Sequence, residues 1–336
     1  MAKIHEVAEA AGVSISTVSY ALSGKRSISP ATRDRVERAA ALLGYEPNAG
    51  ARMLAGRRTH IFALTEPFRA DTHAPTHMSF VLATSIAARR YDYDILLLTD
   101  AEASAGMRRV SASGLVDGII VLDVAPRDDR VALSRAIDVP TVFIGVPDDV
   151  EGLVCVDLDF EAAAALAVDR LADAGHRRIG FLGHPESAYA LSNFPPRVRR
   201  GIEQAARRRA VTLSTAFPGE GDERRRDIGD AVRRMVGEGV TALALHCDDA
   251  AHSAVLEELA AAGLSVPGEM SVVSVGSSFD TTSFSTPLDR IPLEPDISCE
   301  LAVELASRLA DGEHVEPGVR LTAPRYQPFG SVSDPR

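Results

Sequence analysis

Along the first part of the chain the apolar positions recur at helical spacing. Ile4, Val7, Ala8 and Ala11 make one stripe, and Gly12-Val13-Ser14 ends that helix in a tight turn while offering a cap to the next. Val18, Ala21 and Leu22 form the inward stripe of a second helix, which at about 100° per residue turns Ser16, Ser19, Tyr20 and Ser23 outward. Ile15 falls at the edge of that stripe and is compatible with either side. A third helix begins with Ser29 as N-cap and Pro30 at its first position, runs through Val36, Ala39, Ala40 and Leu43, and stops at Gly44. Three such helices can share one small core.

From residue 61 the pattern changes to short apolar runs separated by helical stretches: IFAL (61–64), DILLLT (94–99), DGIIVL (117–122), TVFIGV (141–146), RIGFLG (178–183), ALALHC (242–247) and MSVVSV (270–275). Buried strands alternating with helices predict doubly wound parallel sheets, two of them at this length. Such sheets place ligands at the carboxyl ends of their strands, and paired lobes leave a cleft between them.

Composition sharpens this division. The net charge is −11 over 336 residues, but residues 1–58 hold nine Lys/Arg against five Asp/Glu, which is +4 and leaves −15 for the remainder. A basic head on an acidic body suggests that only the head approaches phosphate. Cys155, Cys247 and Cys299 are far apart and odd in number, so neither a disulfide framework nor a zinc site is expected. No apolar run reaches the roughly 18–20 residues of a membrane span, and the N-terminus lacks signal-peptide order, which predicts a cytoplasmic protein.

A second helix that shows solvent serines and a tyrosine, with almost no charge, suits a major groove; a small helical subdomain with a polar surface is the alternative. The stretch from VAEAAGVS through TVSYAL to LGYEPN resembles the N-terminus of the lactose-repressor (LacI/GalR) family residue type by residue type. That resemblance implies a helix-turn-helix over residues 1–46 whose second helix enters the major groove, with Ile15, Ser16 and Tyr20 contacting bases; Thr17 beside them is a further DNA-contacting candidate. It also implies a hinge helix within residues 47–60, ordered when two subunits meet on DNA, with Leu54 wedged between base steps; Arg57 beside it is a candidate phosphate contact. Taken alone, that segment carries Gly50 and Gly56 and reads equally as a flexible linker.

The resemblance continues through LVDGIIVLD, VPTVFIG, VDLDFEAAAALAVDRLADAGHRRIGFLG and LAAAGLSVPGEMSVVSVG. It implies a periplasmic-binding-protein-like body over 61–330 that senses a small effector and dimerises. Lobe 1 would comprise about 61–157 and 291–318, and lobe 2 about 158–286 and 324–330, with crossings near 157–159, 286–291 and 319–324. An arginine usual five residues before a glycine is replaced by Pro196, leaving Arg197 as the candidate; the alternative places Arg197 in a solvated basic run with Arg199 and Arg200. Asp248 follows Cys247 where Asn-Asp is frequent. Glu223 stands where a stacking aromatic is common, and Ser277-Ser278 where an aspartate is common, with Asp280 two positions on.

The candidate effector set is therefore Arg197, Asp248, Asp280 and His73. In EPFRADTHAPTH, Asp71, His73 and His77 could ligate a divalent ion if the turn converged them; solvated or effector-contacting histidines are the preferred reading, and neither a metal nor a cofactor is expected. No G-x-G-x-x-G follows a strand, and there is no G-x-x-x-x-G-K-[ST] and no G-x-S-x-G elbow, so an enzyme is not expected. The sequence predicts a cytoplasmic regulator, a repressor acting as a homodimer on a roughly palindromic operator under control of a sugar or related metabolite. The alternative is a small-molecule binding protein without DNA-regulated output.

Overall fold

The computed structural model describes residues 2–23, 28–45, 58–67, 74–99 and 102–335, and divides into two units, Met1–His60 and Ile61–Arg336. In the first unit α1 (Ile4–Ala11), α2 (Ile15–Ser23) and α3 (Pro30–Leu43) enclose Val7, Ala8, Ala11, Val18, Ala21, Val36, Ala39 and Ala40. The turn from α1 to α2 is fixed by two devices. Gly12, at φ 63°, closes α1 by donating to the Ala8 and Glu9 carbonyls, and Ser14 Oγ accepts the Thr17 amide at 3.1 Å. Ser29 Oγ caps α3 through the Thr32 amide at 3.2 Å.

The second unit holds two parallel sheets. The first has six strands in the order β11-β5-β4-β3-β1-β2, from β1 (Ile61–Thr65), β2 (Asp94–Leu98), β3 (Gly118–Val121), β4 (Thr141–Ile144), β5 (Val154–Leu158) and β11 (Gly318–Thr322). The second has five in the order β10-β9-β8-β6-β7, from β6 (Arg178–Leu182), β7 (Thr212–Ala216), β8 (Ala242–Leu245), β9 (Ser271–Ser277) and β10 (Asp289–Pro292).

Both sheets are covered on two faces. On β1, Phe62 and Leu64 enter one core with α4 (Ala74–Arg90) and α12 (Pro295–Ala310), whereas Ala63 enters the other with Met107 of α5 (Ala103–Ser113) and Val131 of α6 (Asp129–Ala136). On β8, Ala242 and Ala244 meet α7 (Phe160–Asp173) and α9 (Phe194–Arg208); Leu243 and Leu245 meet α10 (Arg224–Gly237) and α11 (Asp249–Ala261). A short α8 (Ala188–Leu191) precedes α9.

All seven expected strands form. Four strands outside that set also form, and each lacks a long apolar run: β5 is five residues around a buried Asp157, β7 and β11 are half-buried edges, and β10 is four residues long. This corrects one crossing. Ile291 and Pro292 pair with β9 in the second sheet, so the chain returns to the first lobe between Pro292 and Pro295 rather than near 286–291. The other passages lie between Leu158 and Phe160 and after Thr322, beyond which Ser331 bonds to Val272.

Candidate functional sites

On the head, α2 presents Ile15 at 51% exposure, which places it on the solvent side of the ambiguity its spacing left open. Ser16 is exposed as well, and Tyr20, one turn on, is half-buried. Thr17 is half-buried, and its hydroxyl bonds to the capping Ser14 Oγ at 2.8 Å, so it holds the helix start. Leu54 and Arg57 lie outside the described residues.

In the second unit a cavity of about 410 Å³ opens at the carboxyl ends of both sheets. Parallel strands with ends in register bring polar residues there together. In the first lobe Glu66 follows β1, Asp123 follows β3 and Asp157 lies on β5. Glu66 Oε1 lies 2.7 Å from His77 Nδ1 on α4; burial pushes this carboxyl above its ordinary range, and His77 draws it part of the way back. Asp157 is buried and paired with Arg197, which also donates to the Leu158 carbonyl at 3.0 Å and to Asn193 Oδ1 at 3.2 Å. Burial raises the Asp157 carboxyl and the Arg197 charge opposes it.

The second lobe supplies Asp248 and an aromatic wall. Asp248 has two tasks: Oδ1 caps α11 through the Ala251 amide at 2.9 Å, and Oδ2 accepts Arg224 Nη1 at 2.7 Å. His184 and Phe194 meet edge to face at 5.6 Å, and Phe194 is 5.5 Å from Phe160. Cys247 Sγ lies 3.5 Å from His252 Nδ1, a spacing that invites comparison with a nucleophile–base pair. The electrostatics oppose that chemistry. Burial pushes the Cys247 thiol up and His252 down to about 4, so both are neutral near pH 7, and His252 is held by the Asp248 carbonyl and Ser274 Oγ.

The lobes touch beside the cavity. Ser192 Oγ donates to Asp123 Oδ1 at 3.0 Å, Asn193 Nδ2 donates to the Val124 carbonyl at 2.9 Å, and Thr76 and Ser278 hydroxyls lie 2.5 Å apart. Gly145, at φ 134°, permits this approach: a Cβ there would stand 2.7 Å from Val124 Cβ and 2.9 Å from Asn193 Nδ2.

Of the four effector candidates, Asp248 lines the cavity. Arg197 stands behind Asp157 as a buried support, not in a solvated run; Arg199 and Arg200 are the more exposed pair. Asp280 does not line the cavity. It is exposed, bonds to Thr282 and sits 3.5 Å from Arg290, while Ser278 and Phe279 reach the cleft. His73 and Asp71 lie outside the described residues. Glu223 faces solvent beside Arg226, and its neighbour Arg224 turns inward. Glu66 and Asp123 were missed, although a signal exists: each is the first acidic residue after a buried run, in IFALTE and GIIVLD.

A model described as "Bacterial regulatory proteins, lacI family" matches residues 3–48, and one for a periplasmic binding protein-like domain matches residues 168–332. The HTH-type transcriptional regulator CelR of Thermobifida fusca is 30% identical over 94% of this chain and 93% of its own. The chain belongs to the lacI family of bacterial regulatory proteins. The lactose operon repressor of Escherichia coli K12 is 26% identical over 93% of this chain and 86% of its own. In fold, this lacI-family regulator matches the lac repressor dimer bound to operator and the anti-inducer ONPF with a TM-score of 0.80, at 23% identity over 99% of each chain. It matches the CelR–cellobiose complex at 0.66, with 24% identity over 98% of this chain and all of the other.

Proposed function

We propose that this regulator represses transcription as a cytoplasmic homodimer on a roughly palindromic operator, and that a saccharide or glycoside held between the lobes sets its operator affinity. The observation that carries the proposal is the pairing of a polar, nearly uncharged α2 face on the head with a cavity lined by carboxylates and aromatic rings in the body. Ile15, Ser16 and Tyr20 are the base-reading candidates. Glu66, Asp123, Asp157 and Asp248 offer oxygens that accept hydrogen bonds from hydroxyls, and Phe194 and Phe160 give the apolar face a sugar ring stacks on. The complex of the related CelR with cellobiose makes a β-linked disaccharide the first ligand to try.

Dimerisation has a candidate surface. Met78, Leu82 and Ile86 recur at i, i+4, i+8 along α4 with 39%, 58% and 59% exposure, and Ile297 on the packed neighbour α12 adds a fourth apolar side chain at 38%. Among the described residues no helix is long and apolar enough to cross a membrane. The neutral Cys247–His252 pair supports a sensor rather than a catalyst. The deciding experiment is a thermal-shift screen of disaccharides and glycosides, followed by operator gel shifts with each ligand that raises Tm. A ligand that stabilises the protein and changes operator affinity supports the proposal; stabilising ligands that leave operator affinity unchanged overturn its regulatory half.

A further inference from the structure

The parallel register of β1 and β3 pairs Thr65 with Val121, so the residues that follow, Glu66 and Leu122-Asp123, emerge side by side. The first turn of α4 sets His77 over them. The ligating atoms of Glu66, His77 and Asp123 all lie within 4.8 Å of one another, and all three residues line the cleft.

Two carboxylates brought this close repel one another, and the buried one also loses hydration. Glu66 is 1% exposed, and Asp123 adds to the burial that already raises its carboxyl. The guanidinium of Arg130 stands nearby, but its donors go to Asp128, Thr65 Oγ1 and the carbonyls of Leu122 and Asp123. It fixes the loop backbone. The three donor groups, an imidazole and two carboxylates, converge on one place in the cleft wall.

We propose that Glu66, His77 and Asp123 form a binding site for a divalent transition-metal ion in the first-lobe wall of the cleft. One imidazole and two carboxylates suit Zn²⁺, Mn²⁺, Fe²⁺ or Co²⁺; an all-oxygen set would suit Ca²⁺, and thiolates would suit Cu⁺. At metal–ligand distances of about 2.0–2.2 Å the donors lie roughly 3–3.5 Å apart, so small side-chain rotations close the cluster. The ion takes the Nδ1 lone pair of His77 in its Nε2–H tautomer, so the proton now held between Nδ1 and Glu66 Oε1 moves to Nε2, or leaves to solvent where Nε2 already carries one. Three protein ligands leave at least one position open toward the cavity, where a cleft ligand's oxygens can enter the coordination sphere.

This set differs from the D-x-H-x3-H reading of the sequence, with which it shares His77 alone. It stands independently of the effector's identity.

The test uses the full chain, stripped with chelator, dialysed against Zn²⁺, desalted and measured by atomic emission. Wild type retains one equivalent, and Glu66→Gln, Asp123→Asn and His77→Ala each lose it; His314→Ala, altering an exposed histidine outside the site, retains it. Substitution with Co²⁺ gives visible absorption bands that the near-isosteric Glu66→Gln and Asp123→Asn abolish while circular dichroism shows them folded. Absence of stoichiometric zinc in wild type, or equal retention by the folded site variants, overturns the proposal.

Discussion

The Arg197–Asp157 pair separates support from contact at the scale of a single residue. Both side chains are about nine-tenths buried, and the guanidinium also ties down Asn193 and the Leu158 carbonyl. Removing one partner of a buried pair strands the other charge, so Arg197→Met is expected to cost about 3–5 kcal/mol in urea denaturation, and Arg197→Met with Asp157→Leu to recover much of that. A single variant as stable as wild type would show that water reaches Asp157. His252 offers a pH test. Burial holds its pKa down at about 4, against an ordinary value of 6.5. As pH falls from about 6.5 to 4 the unfolded chain binds a proton there that the folded chain refuses. Stability present above pH 6.5 is therefore lost on acidification, at up to roughly 1.4 kcal/mol per pH unit from this residue. Asp157, raised by burial, works in the opposite sense, so the useful quantity is the difference between wild type and His252→Gln. Denaturation at pH 7, 6 and 5 should show a shallower acid loss in the variant; parallel slopes would remove His252 as a cause.

Elements built on a strong period were legible in the sequence, and those built on context were not. The head's stripes, its Gly12 and Gly44 stops and the seven apolar runs follow from local chemistry that tertiary packing reinforces. The edge strands β7 and β11 carry no such run because one side of each meets solvent, and β10 is recognisable only by its register with β9. The cleft was harder to read for the same reason. Arg197 and Asp280 are candidates by their place in the family's pattern, whereas whether either faces the cavity depends on how β5, α9 and the loop after β9 converge, and neither lines it. The apolar stripe of α4 shows what a helix reveals once its buried side is known: Val81, Ala83, Thr84, Ala87 and Ala88 face the core, leaving Leu82 and Ile86 outward. Leu82→Glu is expected to shift the protein from dimer to monomer in sedimentation velocity and to weaken operator binding, with the far-UV circular dichroism of a folded chain and a Tm lowered by the lost association. A dimer as tight as wild type would move the interface elsewhere.

Across the whole molecule the cleft is a two-state element only if its walls can change their spacing; the buried Arg197–Asp157 pair ties the lobes beside the chain crossing, and the described contacts further along the cleft include polar ones. Ser192 to Asp123, Asn193 to Val124 and Thr76 to Ser278 each exchange for water when the lobes part, at a net change of about 0.5–1.5 kcal/mol apiece. A ligand that touches both walls can shift such a balance by its difference in affinity for the two states. If that shift alters operator affinity, linkage requires the operator to alter ligand affinity by the same factor, typically about 5–150-fold for a coupling of 1–3 kcal/mol. Titrating a stabilising saccharide with and without operator, and operator with and without the saccharide, should therefore return one common factor. Ser192→Ala removes a contact between the lobes without removing a cavity-lining group, so it should change that factor while moving the saccharide's affinity for the operator-free protein by no more than about tenfold, the most that one hydrogen bond of about 0.5–1.5 kcal/mol can shift it. A factor unchanged by Ser192→Ala would show that the lobes move together as one body and that coupling runs by another route.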